Sequence, residues 1–273
     1  MPDPGEAGGG VRLALGVEYD GAGFHGWQLQ AKPATRTVQG ELERALSRVA
    51  NHPVRVHCAG RTDTGVHALG QVIHFDTAAH RPLSAWQRGG NSYLPDDIVV
   101  RWAREVDADF HARHRADARR YRYLIDNRPE RSAVLAGKVT HYHLPLDHQL
   151  MHREAQSLAG SHDFTSYRAV ACQSRTPVRD VHQLSVSRRD HLVVLDIQAN
   201  AFLMHMIRNI AGVLMAVGSG RRAPGWTAQV LQARDRRAGG VTAPPDGLYF
   251  VGALYPDRFG LPGWAQVGDC AVF

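Results

Sequence analysis

Lysine is almost missing from this 273-residue chain: of its 32 Lys and Arg, only Lys32 and Lys138 are lysine. Cysteine is sparse too. Cys58, Cys172 and Cys270 are odd in number and share no paired spacing, which excludes a disulfide framework and fits a reducing compartment. Cys-x-x-Cys and His-Glu-x-x-His are both absent. His148 and His152 lie four apart on a predicted helix but lack the further ligands a zinc site needs, so no metal is expected. The phosphate-loop pattern is absent as well, and no cofactor is expected. No uninterrupted apolar run is long enough for a membrane span. The most apolar stretch, AFLMHMIRNIAGVLMAVG, is broken by His205, Arg208 and Asn209 and reads as a buried helix. The opening MPDPGEAGGG has neither a basic nor an apolar segment of a secretory signal and is expected to be a disordered lead, residues 1–10.

What is present is the composition of an ordinary soluble globular protein, 44% hydrophobic and 21% charged. The net charge is +6, which suits an acidic partner. Arginine's planar fork matches phosphate and base edges; codon bias in a GC-rich genome would produce the same excess.

VRLALGVEYDG alternates with period two and ends in Asp-Gly, a strand and a turn. TVQGELERALSRVA places Val38, Leu42, Leu46 and Val49 at helical spacing, with Thr37 as N-cap and Asn51 and Pro53 at the end. Short strands are expected at VRVHCAG and QVIHFDT, and another at ARRYRYLIDN, with Tyr121 and Tyr123 on one face and Arg120, Arg122 and Leu124 on the other. A helix follows Asp147 and stops at Gly160. QLSVSRRDHLVVLDIQA reads as a hairpin, Ala201 to Val217 as a helix, and GLYFVGALY as a closing strand. Strand-rich order with fewer helices indicates an α+β fold with antiparallel or mixed sheets. Two similar halves are expected, 11–107 and 108–258, followed by a tail, 259–273.

Three features bear on chemistry. CAGRTDTGVH sets Asp63 in a connection between strands, two residues before Gly65 and two residues after Arg61. Asp and Gly are ordinary turn residues, but a guanidinium beside a carboxylate keeps it ionised, and an ionised Asp can act as nucleophile or proton acceptor. Asp63-Thr64-Gly65 also has the spelling of an aspartic protease, which needs a second such carboxylate; the chain has no second Asp-Thr-Gly or Asp-Ser-Gly. Tyr121 is the second feature. It is either core packing or, among Arg113, Arg115, Arg119, Arg120 and Arg122, a base-stacking residue flanked by phosphate contacts. The third is Arg208, which must reach a surface or find a carboxylate if buried; Asp63 is the obvious partner.

The motifs YDGAGFHGWQLQ, RTVQGELERAL, GRTDTGVHALGQVIHF, LPDDI, DFHARHRADARRYRYLI, GSHDFTSYRA, AFLMHMIRNIAG and APPDGLYF occur in this order. Together they resemble the family of tRNA pseudouridine synthase A, from about Leu13 to Tyr255. The resemblance implies a pseudouridine synthase fold with a cleft between its halves. It also implies isomerisation of uridine to pseudouridine at positions 38, 39 and 40 of the tRNA anticodon stem-loop, by a cytoplasmic homodimer without cofactor. It puts the essential carboxylate on Asp63 and further active-site roles on Arg61, Tyr121 and Arg208, with His67 and Leu248 also against substrate. Thr64, Ile207 and Met204 depart from residues common in the family, at positions with no assigned chemistry. The non-enzymatic alternative is a tRNA-binding protein or chaperone on the same scaffold, with Asp63 a mere turn residue.

Overall fold

The computed structural model describes residues 10–30 and 35–263; nearly all of the expected N-terminal lead and most of the expected tail lie outside that range. Within it the fold is α+β. The strands are β1 (Val11–Tyr19), β2 (His57–Cys58), β3 (His67–Thr77), β4 (Ile98–Val106), β5 (Ala118–Asp126), β6 (Thr140–His141), β7 (Gly160–Asp163), β8 (Val178–Arg189), β9 (Leu192–Ala199) and β10 (Leu248–Leu254). The helices are α1 (Val38–Ala50), α2 (Gly90–Tyr93), α3 (His148–Ala155), α4 (Met206–Gly218) and α5 (Trp226–Ala233).

All ten strands form one sheet in the order β4-β1-β3-β10-β5-β9-β8-β7, with β2 on β3 and β6 on β5. The first half of the chain supplies β4-β1-β3 and the second supplies β5-β9-β8-β7. β10, the last strand, inserts between them, parallel to β3 and antiparallel to β5. The seam of the molecule is therefore closed by its last strand, which brings the N-terminal ends of β3 and β10 side by side.

Local chemistry explains most elements. Thr37 caps α1 through its hydroxyl, and Asn51 ends it in the left-handed conformation. Asp147 caps α3. Arg36, from the motif before α1, forms a bidentate pair with Asp97 of LPDDI at 2.7 and 2.9 Å and lies over the Phe24 ring at 4.2 Å. Three motifs distant in sequence thus meet at one ion pair.

Two expectations need correction, and one strand was not foreseen. The segment 54–60 is strand only at His57 and Cys58, which pair with β3. The apolar helix begins at Met206 rather than Ala201, because His205 is left-handed, with φ 61°, and Met204 O is taken by Ala169 N. β4, which no alternation in the sequence announced, pairs along almost the whole length of β1. In addition, Gly21, Gly23 and Gly26 have the spacing of a dinucleotide-binding loop. The chain there makes a short 3-10 turn and then extended backbone at Phe24, so there is no helix N-terminus to receive a pyrophosphate.

Candidate active site

Asp63 sits in the connection between β2 and β3, and its loop is held largely by neutral contacts. Gln71, fully buried in β3, bonds both backbone groups of Gly60 through its side chain. The Thr62 hydroxyl meets Tyr19 Oη at 2.7 Å, and Thr62 O accepts from Trp27 N at 3.0 Å. Val66 N donates to Asp63 O, closing the turn. Gly26 packs so closely that a Cβ there would lie 2.9 Å from Thr62 O and 3.2 Å from the Asp63 carbonyl carbon, at a φ of +87°. That contact explains a glycine in the middle of YDGAGFHGW: the loop after β1 is the bed of the Asp63 loop.

Thr62 points inward and its neighbours point outward, leaving Arg61 exposed and Asp63 part-exposed. Arg61 therefore does not sit on Asp63 as its position in the sequence suggested. In an extended segment two residues advance the chain by about 6.5 Å, and among the described residues Arg61 makes no ion pair.

The side chains that do reach Asp63 come from the other half of the molecule. Arg208 Nη1 lies 3.5 Å from Asp63 Oδ2, and His205 Nε2 lies 3.4 Å from the same oxygen. The expected partnership of Arg208 with Asp63 is thus present, 145 residues apart in sequence. Arg208 is anchored by a second bond, Nε to Ala243 O at 2.8 Å, so the turn before β10 fixes the guanidinium that faces the carboxylate. Sequence reading had met His205 only as an interruption of an apolar run. Its left-handed backbone, immediately before α4, throws the ring toward Asp63. Burial lowers the pKa of His205 from its ordinary value, Asp63 opposes that shift, and Arg208 and Arg236 reinforce it.

Tyr121 lies on β5 directly opposite Phe250 of β10. Its ring makes edge contacts with Phe202 and Phe250, each at 5.0 Å between centroids. Its hydroxyl approaches Gly60 of the Asp63 loop and has no hydrogen-bond partner among the described residues. Burial, with a contribution from the Asp63 charge, raises its pKa and keeps it a neutral phenol. Leu248 shares the face of Tyr121 and Phe250, opposite Tyr123.

Two expectations change here. His67 is 2% exposed, stacks on Tyr249 at 4.6 Å, accepts from Gly21 N through Nδ1 and meets Asp246 O through Nε2. It is an internal strut joining the loops after β1 and before β10, with no face left for substrate. The arginines around Tyr121 are also partly committed. Arg120 and Arg122 both bind Asp196 of β9 on the opposite face of the sheet. Arg119 ties Ala59 O of the Asp63 loop to Asn200 O and to Arg113 O. Arg61 and Arg113 remain exposed on the side of the Asp63 loop.

The arrangement is one part-exposed carboxylate held through a single oxygen, beside a neutral phenol and an aromatic wall. It suits anionic chemistry beside a flat ring.

The model of the tRNA pseudouridine synthase family matches residues 16–115 and 155–256, one stretch in each half. Among similar chains is a tRNA pseudouridine synthase A of Coxiella burnetii (strain Dugway 5J108-111). It is 56% identical over 252 residues, which cover 92% of this chain and 96% of that one. The protein of the same name from Shewanella amazonensis is 57% identical over 252 residues, with the same two coverages. That from Aeromonas hydrophila subsp. hydrophila is 58% identical over 252 residues, covering 92% and 93%.

Proposed function

The chain belongs to the tRNA pseudouridine synthase family, and we propose that it isomerises uridine to pseudouridine at positions 38, 39 and 40 of the tRNA anticodon stem-loop, with Asp63 as the essential carboxylate. The observation that carries this reading is the meeting at Asp63 Oδ2 of Arg208 and His205 from the other half of the chain, with the Tyr121 hydroxyl against the same loop.

The reaction breaks the N1–C1′ bond, turns the uracil and joins C5 to C1′. The C5 proton leaves and N1 regains one, so there is no redox change and no net hydrolysis. The uridine first leaves the helical stack, at a cost of a few kcal/mol offset by contacts in the site. Two first steps fit one ionised carboxylate: attack on C1′, or removal of the 2′ proton. In either, Arg208 holds Asp63 in register. The Tyr121 ring and Phe250 form a wall for the freed uracil, and the neutral Tyr121 hydroxyl offers it a hydrogen bond. Arg61 and Arg113 receive phosphates, which makes affinity fall with salt. The active form is a cytoplasmic homodimer, with one tRNA spanning both subunits.

The test is incubation with unmodified tRNA tritiated at uridine C5. Wild type is expected to release tritium without free uracil, and Asp63→Asn is expected to release none while binding tRNA. Release by both proteins would remove Asp63 from the chemistry. Binding without release by wild type would leave a tRNA-binding protein. Deuterium at C2′ separates the two first steps: only proton removal carries a primary isotope effect.

A further inference from the structure

The two oxygens of Asp63 stand in different surroundings. Oδ2 faces both His205 Nε2 and Arg208 Nη1. Oδ1 has no polar partner among the described residues. Both contacts come from one short piece of backbone: His205 is the residue before α4, Arg208 lies one turn on, and Asn209 N bonds His205 O. His205 is the non-glycine residue with the left-handed backbone at this position, φ 61°. A β or helical backbone there would carry the ring elsewhere, so the local conformation selects the contact with Asp63.

We propose, resting on the reading of Asp63 as the essential carboxylate, that His205 is a positioning residue: with Arg208 it holds Oδ2 and thereby presents Oδ1 to the nucleotide. Arg208 alone fixes one point of the carboxylate and leaves it free to swing about its Cβ–Cγ bond; a second contact from a different direction removes that freedom. A neutral ring serves this purpose better than a second cation. With Nε2 3.4 Å from Oδ2, the ring can offer an N–H to the carboxylate without adding charge that would compete with the sugar for it. The groups facing the imidazole are Asp63, Arg208 and Arg236, and the two arginines, together with burial, keep it neutral near pH 7. Protonation at lower pH turns the contact into a full ion pair and quiets Asp63.

The experiment compares wild type with His205→Gly, which relaxes the left-handed backbone, and with His205→Gln, whose amide can donate to Asp63 but does not titrate. Turnover on tritiated tRNA, KM for tRNA and thermal unfolding are measured from pH 5 to 8. His205→Gly is expected to lose about 10- to 100-fold in kcat, the scale of a misplacement of roughly 1 Å, with KM within threefold. His205→Gln is expected to recover most of that loss and to keep its rate at acidic pH where wild type falls. Equal kcat and the same pH profile in all three proteins would overturn the proposal. So would a loss in His205→Gly that follows unfolding while His205→Gln retains the wild-type acid limb. Absence of tritium release by wild type would instead overturn the underlying reading, and Asp63→Asn distinguishes the two failures.

Discussion

Replacing Arg208 with alanine removes two contacts made by one side chain: Nε to Ala243 O at 2.8 Å and Nη1 to Asp63 Oδ2 at 3.5 Å. The first is a hydrogen bond from a charged donor in a mostly buried setting, the Arg208 side chain being 14% exposed. Its loss costs about 1.5–3 kcal/mol. At roughly 2 °C per kcal/mol for a chain of this size, Tm falls by about 3–6 °C. The second contact is longer and contributes little to folding, but it orients the carboxylate proposed to react. Releasing it costs about 2–3 kcal/mol of transition-state stabilisation, a fall in kcat of roughly 30- to 150-fold. The two effects separate in the assay. Circular dichroism gives Tm, filter binding gives tRNA affinity, and tritium release at saturating tRNA gives kcat. Arg208→Lys tests the geometry, since one ammonium cannot span both acceptors; it is expected to recover tRNA affinity and only part of kcat. A turnover within twofold of wild type in folded Arg208→Ala would refute the argument that the far half of the chain holds Asp63.

Tyr121→Phe is expected to leave Tm within about 1 °C, because the hydroxyl bonds nothing among the described residues, and to lower kcat by at least tenfold with little change in KM; an unaltered kcat would confine Tyr121 to stacking. Gly26→Ala forces a left-handed alanine, costing about 1–2 kcal/mol, and pushes on Thr62 and Asp63, so kcat is expected to fall further than the loss of stability explains; proportionate losses would show that this contact only supports folding. His74 is 3% exposed. Its pKa is pushed down to about 3, by burial first and then by His111, His57 and Arg12. The unfolded chain therefore binds a proton that the folded chain refuses between about pH 6.5 and 3. This group makes stability fall as pH drops through that window, by at most about 1.4 kcal/mol per pH unit. His74→Asn, which can still accept from Ala112 N, is expected to flatten that dependence in urea unfolding; an unchanged slope would assign it to other groups.

Patterns of period two and 3.6, with Thr37 and Asp147 as caps, were enough to place β1, α1, α3, β5, the β8–β9 hairpin and β10. Burial of one face and satisfaction of the first helical N–H groups are local demands, written within a dozen residues. The spelling around Asp63 also singled out the carboxylate, and the charge stranded in an apolar helix singled out Arg208. What sequence could not show was geometry set across the sheet. Arg61, two residues from Asp63, makes no ion pair with it, while Thr62 between them is claimed by Tyr19 and Trp27. His205 reaches Asp63 because one left-handed residue delays α4. His67 is consumed as a strut between loops that begin 46 and 179 residues away. The contacts that cross between the two halves go with β10 entering between β3 and β5, a pairing made by backbone groups that every residue carries. The amino-acid order thus determined which elements form and singled out the carboxylate proposed to react. Only the folded sheet decided which side chains surround it, because hydrogen-bond ladders bring together residues whose separation along the chain leaves no local trace.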